Sequence, residues 1–347
     1  GNTSYLGIEV PLAKGLLMDK RRAALQQAKI FRNQSEQERL QVINNLLFDA
    51  YNAYWQWAGS YELYAVYTKY LQLSSERFRL VNIAYKNGDR AAMDTLEAFT
   101  QIQNFEMLQA DALMKINDAS LELSNYLWQE NDSAYQLPKQ YVPDTVQFAV
   151  SLAPQPLEQI VTQAAVENPA LRNYNYKLDA LEVERKLKFQ SLLPQINAKA
   201  NLLNKDYNVL KGVDAAFIQN NYKWGIDFKM PLFLREGRGD CRASKLKIAE
   251  TNYALNAKRW EVENKIRSYY NQATQLQNQL QLAQSAYNNY GSLLRQEELK
   301  FRNGESALFM VNTRENKVIE TAQKLIELRI KYQKAYYAVL WAAGLLR

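Results

Sequence analysis

The chain has 347 residues, of which 47% are hydrophobic, and it contains one cysteine and no histidine. The absence of histidine excludes Ser-His-Asp and Cys-His catalysis and the usual transition-metal sites, and a single cysteine excludes an internal disulfide. The formal net charge is +7, but lysine and arginine are interspersed with glutamate along helical patterns, as on solvated coiled-coil flanks, so we expect no nucleic-acid partner.

Near its start the chain alternates between apolar and polar residues over positions 6–10, and residues 196–202 and 224–230 repeat the alternation. A period of two predicts β-strands with one apolar face. Such a strand either contacts lipid in a transmembrane barrel or lies on a soluble core. Three of them, each next to a long helical pattern, favour the membrane. The expected lipid-facing residues are Leu6, Ile8, Val10, Ile196, Ala198, Ala200, Leu202, Trp224, Ile226, Phe228 and Met230.

A long helical pattern follows the first strand, and another follows the third. From about Cys241 to Phe301 the sequence contains no proline and only one glycine, which predicts a helix of roughly 60 residues and about 90 Å. Apolar residues recur along it at spacings of three and four, which is typical of a coiled-coil seam. Helices of this length favour a rod, stalk or tube over a compact enzyme.

The sequence repeats itself at an offset of 216 positions. The stretch from Ala84 to Glu97 returns as Lys300 to Thr313, and the seam of the second long helix falls on apolar positions of the first, with Ser60 as the one polar break. Each copy therefore predicts a helical hairpin closed by an Asn-Gly turn, because glycine readily adopts the left-handed conformation that ends a helix. Self-similarity on this scale predicts two packed copies of one unit.

The duplication divides the chain into a first structural repeat at residues 1–130, an equatorial linker at 131–156 and a second repeat at 157–347. The second repeat contains an ascending helix from about Pro169 to Leu192 and a strand that have no counterpart before Leu6. We therefore expect the first repeat to lack its N-terminal part, which by comparison of the copies amounts to roughly 65 residues.

Four short segments follow one another in a specific order: the run from Glu167 to Leu171, the passage from Leu192 to Ile196, the strand followed by Pro-Leu, glycine and a basic helix start, and the Asn-Gly hairpin whose second helix ends at Leu340 to Gly344. Together they resemble the TolC-like outer-membrane efflux proteins. Their order and their duplication are specific, and the resemblance covers almost the whole chain.

The resemblance implies a mainly α fold with transmembrane β-structure. Duplicated coiled-coil hairpins would form a periplasmic α-barrel, and the strands would contribute to a β-barrel shared by a homotrimer in the bacterial outer membrane. The implied function is the exit duct of a tripartite efflux or type I secretion system, a passive conduit without catalysis or cofactor. The implied partners are membrane lipid, a periplasmic adaptor protein and an inner-membrane transporter.

The resemblance also implies that acidic residues just after the turn glycine constrict the closed channel. Asp94 and Glu97 hold these positions after Gly88, whereas Met310 and Thr313 hold them in the second copy. We expect Asp94, with Glu97, to form a three-fold acidic ring. The alternative is that Asp94 is a solvated charge stabilised by the dipole of a helix's first turn.

Adaptor contact is expected at the turns themselves. The alternative role of their glycine and asparagine residues is to close the turn, and the two roles are compatible. The residues concerned are Tyr85, Lys86, Asn87, Gly88 and Asp89 in the first copy, and Phe301, Arg302, Asn303, Gly304 and Glu305 in the second.

Two alternatives from other classes remain open at the sequence level. A soluble dimeric coiled-coil scaffold would also show heptads, but its strands would lack a lipid-facing side. A long-helical enzyme would use paired carboxylates to bind metal, and the pair Glu297 and Glu298 and the region of Glu315 and Glu320 lack the histidines that such sites normally add.

Overall fold

The computed structural model describes residues 4–144, 155–204, 222–230 and 233–347, and most of them are helical. A single glycine-containing turn closes each of two hairpins. In chain order the elements are β1 (Ser4–Pro11), α1 (Lys20–Lys86), α2 (Ala92–Ser124), α3 (Leu157–Glu167), α4 (Pro169–Phe189), a 3-10 turn (Gln190–Leu192), β2 (Gln195–Asn204), β3 (Tyr222–Lys229), α5 (Arg235–Arg302) and α6 (Leu308–Ala343).

The two long helices are confirmed as unbroken elements. α1 has 67 residues and α5 has 68. α5 begins at Arg235, a few residues earlier than the sequence pattern indicates, so its first turns include Gly237 and Gly239. Among the described helices, none combines the length and the apolar character needed to cross a membrane.

The three strands form one antiparallel sheet in the order β1-β2-β3. Ala200 pairs with Ile8 on one side and with Trp224 on the other. Because side chains at paired positions point to the same face, the apolar positions of all three strands align. The predicted alternation is therefore confirmed as one continuous apolar face. Leu6 and Leu202 are partners in the same register, and Met230 directly follows β3.

One face of this sheet is apolar and exposed, and the other is polar and ion-paired. On the apolar face, Ile8 is 70% exposed and Trp224 is 75% exposed. On the polar face, Lys199 Nζ lies 2.6 Å from Asp227 Oδ2 and 3.9 Å from Glu9 Oε1. An apolar sheet face that no described residue of the chain covers is suited to contact an apolar environment or another protein surface.

Contacts group the chain into two compact units. The first comprises Gly1–Leu40 and Pro169–Trp260 and includes the sheet. In it, Met18 and Ala23 pack on Val183 of α4. Lys188 of α4 also forms an ion pair with Asp240 of α5 at 2.8 Å.

The second unit comprises Gln41–Asn168 and Glu261–Arg347, and its core is built from four long helices. α1 packs on α2 through Trp57 and Ala119, and on α6 through Trp55 and Ile326. α6 in turn packs on α5, where Tyr332 meets the predicted seam residues. α2 also packs directly on α6, and all four helices share a cluster that includes Tyr67, Phe105, Leu294 and Val318. Buried members of the predicted seams include Ala53, Trp57, Tyr67, Val262, Ile266, Ala273, Leu276 and Leu294.

Ser60, the polar break in the seam, is also buried, and its hydroxyl donates to the carbonyl of Gln56 at 2.9 Å. The helix itself thus satisfies this hydroxyl, so the polar residue does not interrupt the packing.

The predicted equatorial linker is described only in part, since residues 145–154 lie outside the described ranges. Before them, Trp128 and Ala134 form an isolated antiparallel bridge. After them, α3 leads to Asn168, whose side-chain amide donates to the carbonyl of Ala342 at 3.2 Å. The repeat boundaries at residues 130 and 157 stay a prediction.

Candidate functional site

The two hairpin turns have the same backbone. In the first, Gly88 N–H donates to Tyr85 O at 3.0 Å and Asp89 N–H to Ala84 O at 2.9 Å. In the second, the residues 216 positions later repeat both bonds at 3.2 and 2.8 Å. Gly88 and Gly304 have φ values of +83° and +78°, a region that L-residues with a side chain rarely adopt. The predicted Asn-Gly closures are therefore confirmed as one repeated motif.

Arg90 links the first turn to the second. Its guanidinium lies 4.3 Å from the centroid of the Phe301 ring, and Nη2 donates to the carbonyl of Phe301 at 3.3 Å. That carbonyl belongs to the last turn of α5, where a cation is favoured by the helix dipole. The two turns are consequently neighbours within one chain. Their predicted contact residues are exposed except for Phe301, which is half-buried against the core.

A buried ion pair lies a few helical turns away from the hairpin turns. Arg77 of α1 forms two parallel hydrogen bonds with the carboxylate of Glu315 of α6, at 2.8 and 2.9 Å. The Glu315 side chain is fully buried, and Glu298 of α5 approaches Arg77 at 3.5 Å. Gln101 of α2 donates to Asn316 at 2.8 Å and to Glu315 at 3.4 Å. This cluster therefore connects all four helices.

The electrostatics of the cluster favour a charged guanidinium. Burial acts most strongly on the pKa of Arg77 and lowers it, but the hydrogen bonds to Glu315 and the charges of Glu315 and Glu298 outweigh it. The net effect raises the pKa of Arg77 above its ordinary value. A buried charge of this kind is stable only while its partner remains.

The two predicted constriction residues lie in the first turns of α2. Asp94 is in the opening turn and is partly exposed. Glu97 accepts a hydrogen bond from the side-chain amide of Asn312 at 3.2 Å, and Asn312 in turn accepts one from Arg77 at 3.3 Å. Glu97 thus belongs to the edge of the buried cluster, and Asp94 is not seen among its partners. Their role in a constriction stays a prediction.

The cluster was missed by sequence reasoning, which considered Glu315 only as a metal ligand. A signal was present: Arg77 precedes Gly88 by eleven positions, and Glu315 follows Gly304 by eleven. Residues equally far from paired turns lie at equal height along antiparallel helices. An arginine and a glutamate at equal height, each next to an apolar seam, indicate a pair between the copies.

The carboxylates considered as metal ligands all have cationic or hydroxyl partners instead. Glu297 accepts from Ser306 at 2.6 Å and lies 3.7 Å from Arg314, and Glu320 lies 2.6 Å from Lys317. Within the described ranges, no group of three or more acidic or cysteine side chains is arranged to hold a metal ion.

A groove of about 290 Å³ runs beside the turns, between α1 and α5. Its apolar wall includes Leu80, which is 54% exposed. Arg90 and Arg302 form part of its rim on the side of the turns. The lining residues are Leu73, Glu76, Arg77, Leu80, Val81, Ala84, Arg90, Glu298, Phe301, Arg302 and Val311.

Solved structures with the same fold are outer-membrane channels. CmeC of Campylobacter jejuni matches with a TM-score of 0.69 and 14% identity, covering 99% of this chain and 77% of CmeC. VceC of Vibrio cholerae matches at 0.69 and 14%, covering 99% and 86%. The open state of MtrE of Neisseria gonorrhoeae matches at 0.68 and 12%, covering 100% and 80%. At these identities the likeness shows the fold.

The family follows from the sequence comparison. No curated protein sequence matches the chain, but the profile of the outer membrane efflux protein family matches residues 2–127 and 160–345. One matched segment lies in each predicted repeat, and the unmatched residues between them include the whole predicted linker at 131–156. The chain belongs to the outer membrane efflux protein family, and it is a non-enzymatic exit channel of the bacterial outer membrane that extends into the periplasm.

Proposed function

We propose that this channel is the exit duct of a tripartite efflux or type I secretion system. Three copies assemble into a homotrimer, and the duct is coupled to an inner-membrane transporter through a periplasmic adaptor protein. The duct is passive, so the energy for export comes from the transporter. The observation that carries the coupling is the pair of identical turns joined by Arg90, with an apolar groove directly beside them.

The sheet supports the proposed contact with the outer membrane. Its apolar face is exposed on β1 and β3, and its polar face is occupied by Lys199, Asp227 and Glu9. Three copies of such a sheet, closed into one barrel, would present the apolar face to lipid and the charged face to water. A soluble scaffold would require a cover for Trp224 and Ile226, and within the described residues the chain offers none.

The groove supports adaptor docking. It combines an apolar floor with basic and acidic groups on its rim, which suits an amphipathic helix or helical hairpin laid along it. Exposed apolar residues also surround the turns: Ile83 and Tyr85 are 46% and 44% exposed, and Phe309 is 64% exposed. Apolar residues at such density on an exposed turn favour a protein contact.

The docking proposal is tested by placing a charged side chain in the apolar wall of the groove. Leu80→Glu should abolish export in cells and cross-linking to the adaptor while leaving the trimer intact, because a carboxylate in an apolar contact is costly to desolvate. The matched control is Leu46→Glu, since Leu46 is on the same helix and 52% exposed but lies far from the turns. Full export with the Leu80 variant would overturn docking at the groove.

We further propose that Asp94 of three protomers forms an acidic ring that selects for cations. Asp94→Asn should reduce cation preference in planar-bilayer recordings, because it removes one charge from each protomer. Asp118→Asn serves as the control, since Asp118 is an exposed carboxylate on the same helix but lies several turns away from Gly88. Unchanged selectivity in the Asp94 variant would contradict the acidic ring. Asp94 would then be a solvated charge in the first turn of the helix.

A further inference from the structure

The apolar character of the sheet continues beyond the ends of its strands. The backbone N–H of Leu12 donates to the carbonyl of Ile196 at 2.7 Å, so β1 and β2 stay paired one residue past the strand. Leu12 is 49% exposed, and Leu17, further along the same connection, is 82% exposed. Phe233 follows the end of β3 by four residues and is 76% exposed. Large apolar side chains thus lie without cover from the described chain where strands give way to helices.

A dense group of cations follows directly on this apolar end of the sheet. Residues 14–22 contain four cations and one carboxylate, and residues 229–242 contain four cations and two carboxylates. Six of these cations are exposed, and none of the six forms an ion pair with a residue that the structure describes. We call them the basic collar: Lys14, Lys20, Arg21, Arg235, Arg238 and Arg242.

Two of the nearby carboxylates are engaged by other groups. Asp19 accepts from the backbone N–H of Arg22 at 2.7 Å and lies 3.8 Å from its guanidinium. Asp240 is paired with a lysine of α4 at 2.8 Å. Further along α1, by contrast, an exposed arginine has a glutamate three positions earlier as its partner, as Arg79 has Glu76 at 2.6 Å. The basic collar therefore differs from the flanks of the long helices, where charges of both signs neutralise each other.

Helix stability does not account for these cations. Lys20 and Arg21 lie in the first turn of α1, which contains no acidic residue, and the helix dipole disfavours cations at that end. On α5, Arg235, Arg238 and Arg242 are spaced by three and four positions, so they share one face of the helix over about 10 Å of its length. A row of cations that the helix itself disfavours indicates an anionic ligand.

The direction of the helices selects the side of the membrane. β1 ends, β2 begins and β3 ends at the same edge of the sheet, and this edge leads into the helices. The helices of this channel extend into the periplasm. A membrane around the sheet would therefore meet the basic collar with its periplasmic leaflet, which consists of phospholipids, and its lipopolysaccharide would lie at the opposite end of the strands.

We propose that the basic collar binds the phosphate groups of anionic phospholipids in the periplasmic leaflet of the outer membrane, while Leu12, Leu17 and Phe233 lie beside their acyl chains. This inference rests on the proposed contact of the sheet with the membrane and identifies the lipid at its periplasmic edge. Apolar side chains followed within a few residues by cations match the boundary between acyl chains and headgroups. The Arg235 guanidinium, 5.6 Å from the centroid of the Phe233 ring, joins the two in one contact.

Lipid retention by the full-length trimer, measured by native mass spectrometry in detergent, tests the basic collar. With equal amounts of phosphatidylglycerol and phosphatidylethanolamine present, the wild type should retain phosphatidylglycerol preferentially. The variant Lys20→Gln, Arg21→Gln, Arg238→Gln and Arg242→Gln should bind phosphatidylglycerol about tenfold or more weakly, because each cation near a headgroup adds to the attraction. Its binding of the zwitterionic phosphatidylethanolamine should change little.

The matched control removes the same charges elsewhere on the same two helices. The variant Arg32→Gln, Arg259→Gln, Arg295→Gln and Lys300→Gln also replaces three arginines and one lysine, all of them exposed, but they lie nearer the hairpin turns. This variant should retain phosphatidylglycerol like the wild type. An equal loss in the two variants would overturn the proposal, because net charge and not position would then determine the binding.

The outcomes separate the basic collar from the proposed assembly, since the same spectra give the mass of the oligomer. A trimer without a preference for phosphatidylglycerol would overturn the collar and leave the exit duct standing, whereas a monomer that retains the preference would contradict the trimeric duct alone. Stronger retention of lipopolysaccharide than of phosphatidylglycerol would overturn the assignment to the periplasmic leaflet. Binding of polyglutamate without any preference between the two phospholipids would assign the collar to an acidic protein and overturn the proposal.

The position of Leu17 in the bilayer provides an independent measurement. In a chain with Cys241→Ser, a fluorophore attached to Leu17→Cys should be quenched in vesicles by phospholipid that carries a nitroxide near its headgroup. Leu46→Cys is the control, since Leu46 is 52% exposed on α1 but lies about 40 Å further along the helix. Equal quenching at the two positions would show that Leu17 lies outside the bilayer and would overturn the lipid contact.

Discussion

The two hairpins of this chain share a backbone and differ in chemistry. Their turns repeat the same hydrogen bonds at an offset of 216 positions. From Ser268 to Leu294, however, α5 contains no charged residue, whereas the equivalent positions of α1 include Glu62, Lys69, Glu76 and Arg77. Backbone geometry at the turns is fixed by glycine, whereas helix faces change freely once their neighbours differ. Duplication thus supplied two similar hairpins, each packed within itself, and their divergent faces allow the two hairpins to pack on each other as well.

The largest loss of stability is expected from removing the buried carboxylate that joins the two hairpins. Glu315→Leu leaves the Arg77 guanidinium buried without its partner, and we expect a loss of about 3–5 kcal/mol in the free energy of unfolding. Denaturant unfolding followed by circular dichroism measures it. Glu320→Leu is the control, since its pair with Lys317 is exposed, and it should cost less than about 1 kcal/mol.

The double variant Arg77→Met with Glu315→Leu sharpens this result. If the main cost is the uncompensated charge, replacing both partners by apolar groups should recover most of the lost stability. A double variant as unstable as the single one would show instead that the hydrogen bonds to Asn312 and Gln101 hold the four helices together.

The sequence predicts the elements of this fold well and the contacts between them poorly. The strands, the two long helices and the turns follow from local signals, namely period two, heptads and glycine after asparagine. The Arg77–Glu315 pair does not, because a heptad seam shows which face is buried but not which helix covers it. The partner of Glu315 is more than 230 positions away, and only the equal separation from the two turn glycines hints at it.

The glycines of the two turns should respond equally to substitution. Gly88→Ala and Gly304→Ala each place a Cβ on a residue with φ near +80°, and apart from the adjoining residues no atom lies within 4 Å of that Cβ. The cost is therefore backbone strain alone, about 1–2 kcal/mol for each variant. Thermal unfolding of the two variants measures it. A difference well above 1 kcal/mol would mean that one turn carries a contact the other lacks.

Arg90 links the first turn to the second, whereas its counterpart Ser306 donates to Glu297. Arg90→Ala should cost about 1 kcal/mol, because it removes a cation–π contact and a hydrogen bond at a partly exposed site. Faster hydrogen exchange of the amides around Phe301 and Gly304 would show the loosened turn. Arg90→Lys should restore less than half of the protection, since an ammonium cannot both cover the ring and reach the carbonyl. Unchanged exchange in the alanine variant would contradict this link.

The smallest expected change in stability, and the one that depends most on pH, concerns Lys334 of α6. The position equivalent to it in α2 is the exposed Asp118, whereas burial lowers the pKa of Lys334 despite an opposing contribution from Glu122. Since the folded pKa lies below that of the unfolded chain, the charged lysine destabilises the fold at neutral pH. This penalty disappears as the pH rises through the folded pKa towards 10.5, the ordinary value.

Lys334→Met should therefore raise stability by somewhat less than about 1 kcal/mol at pH 7, since the hydrogen bond to Gln56 at 2.9 Å offsets part of the gain. The advantage should shrink as the pH rises towards 10.5. Lys331→Met, which removes an exposed partner of Glu327, should show no such pH dependence, and an equal response of the two variants would mean that the site of Lys334 is solvated like its counterpart in α2.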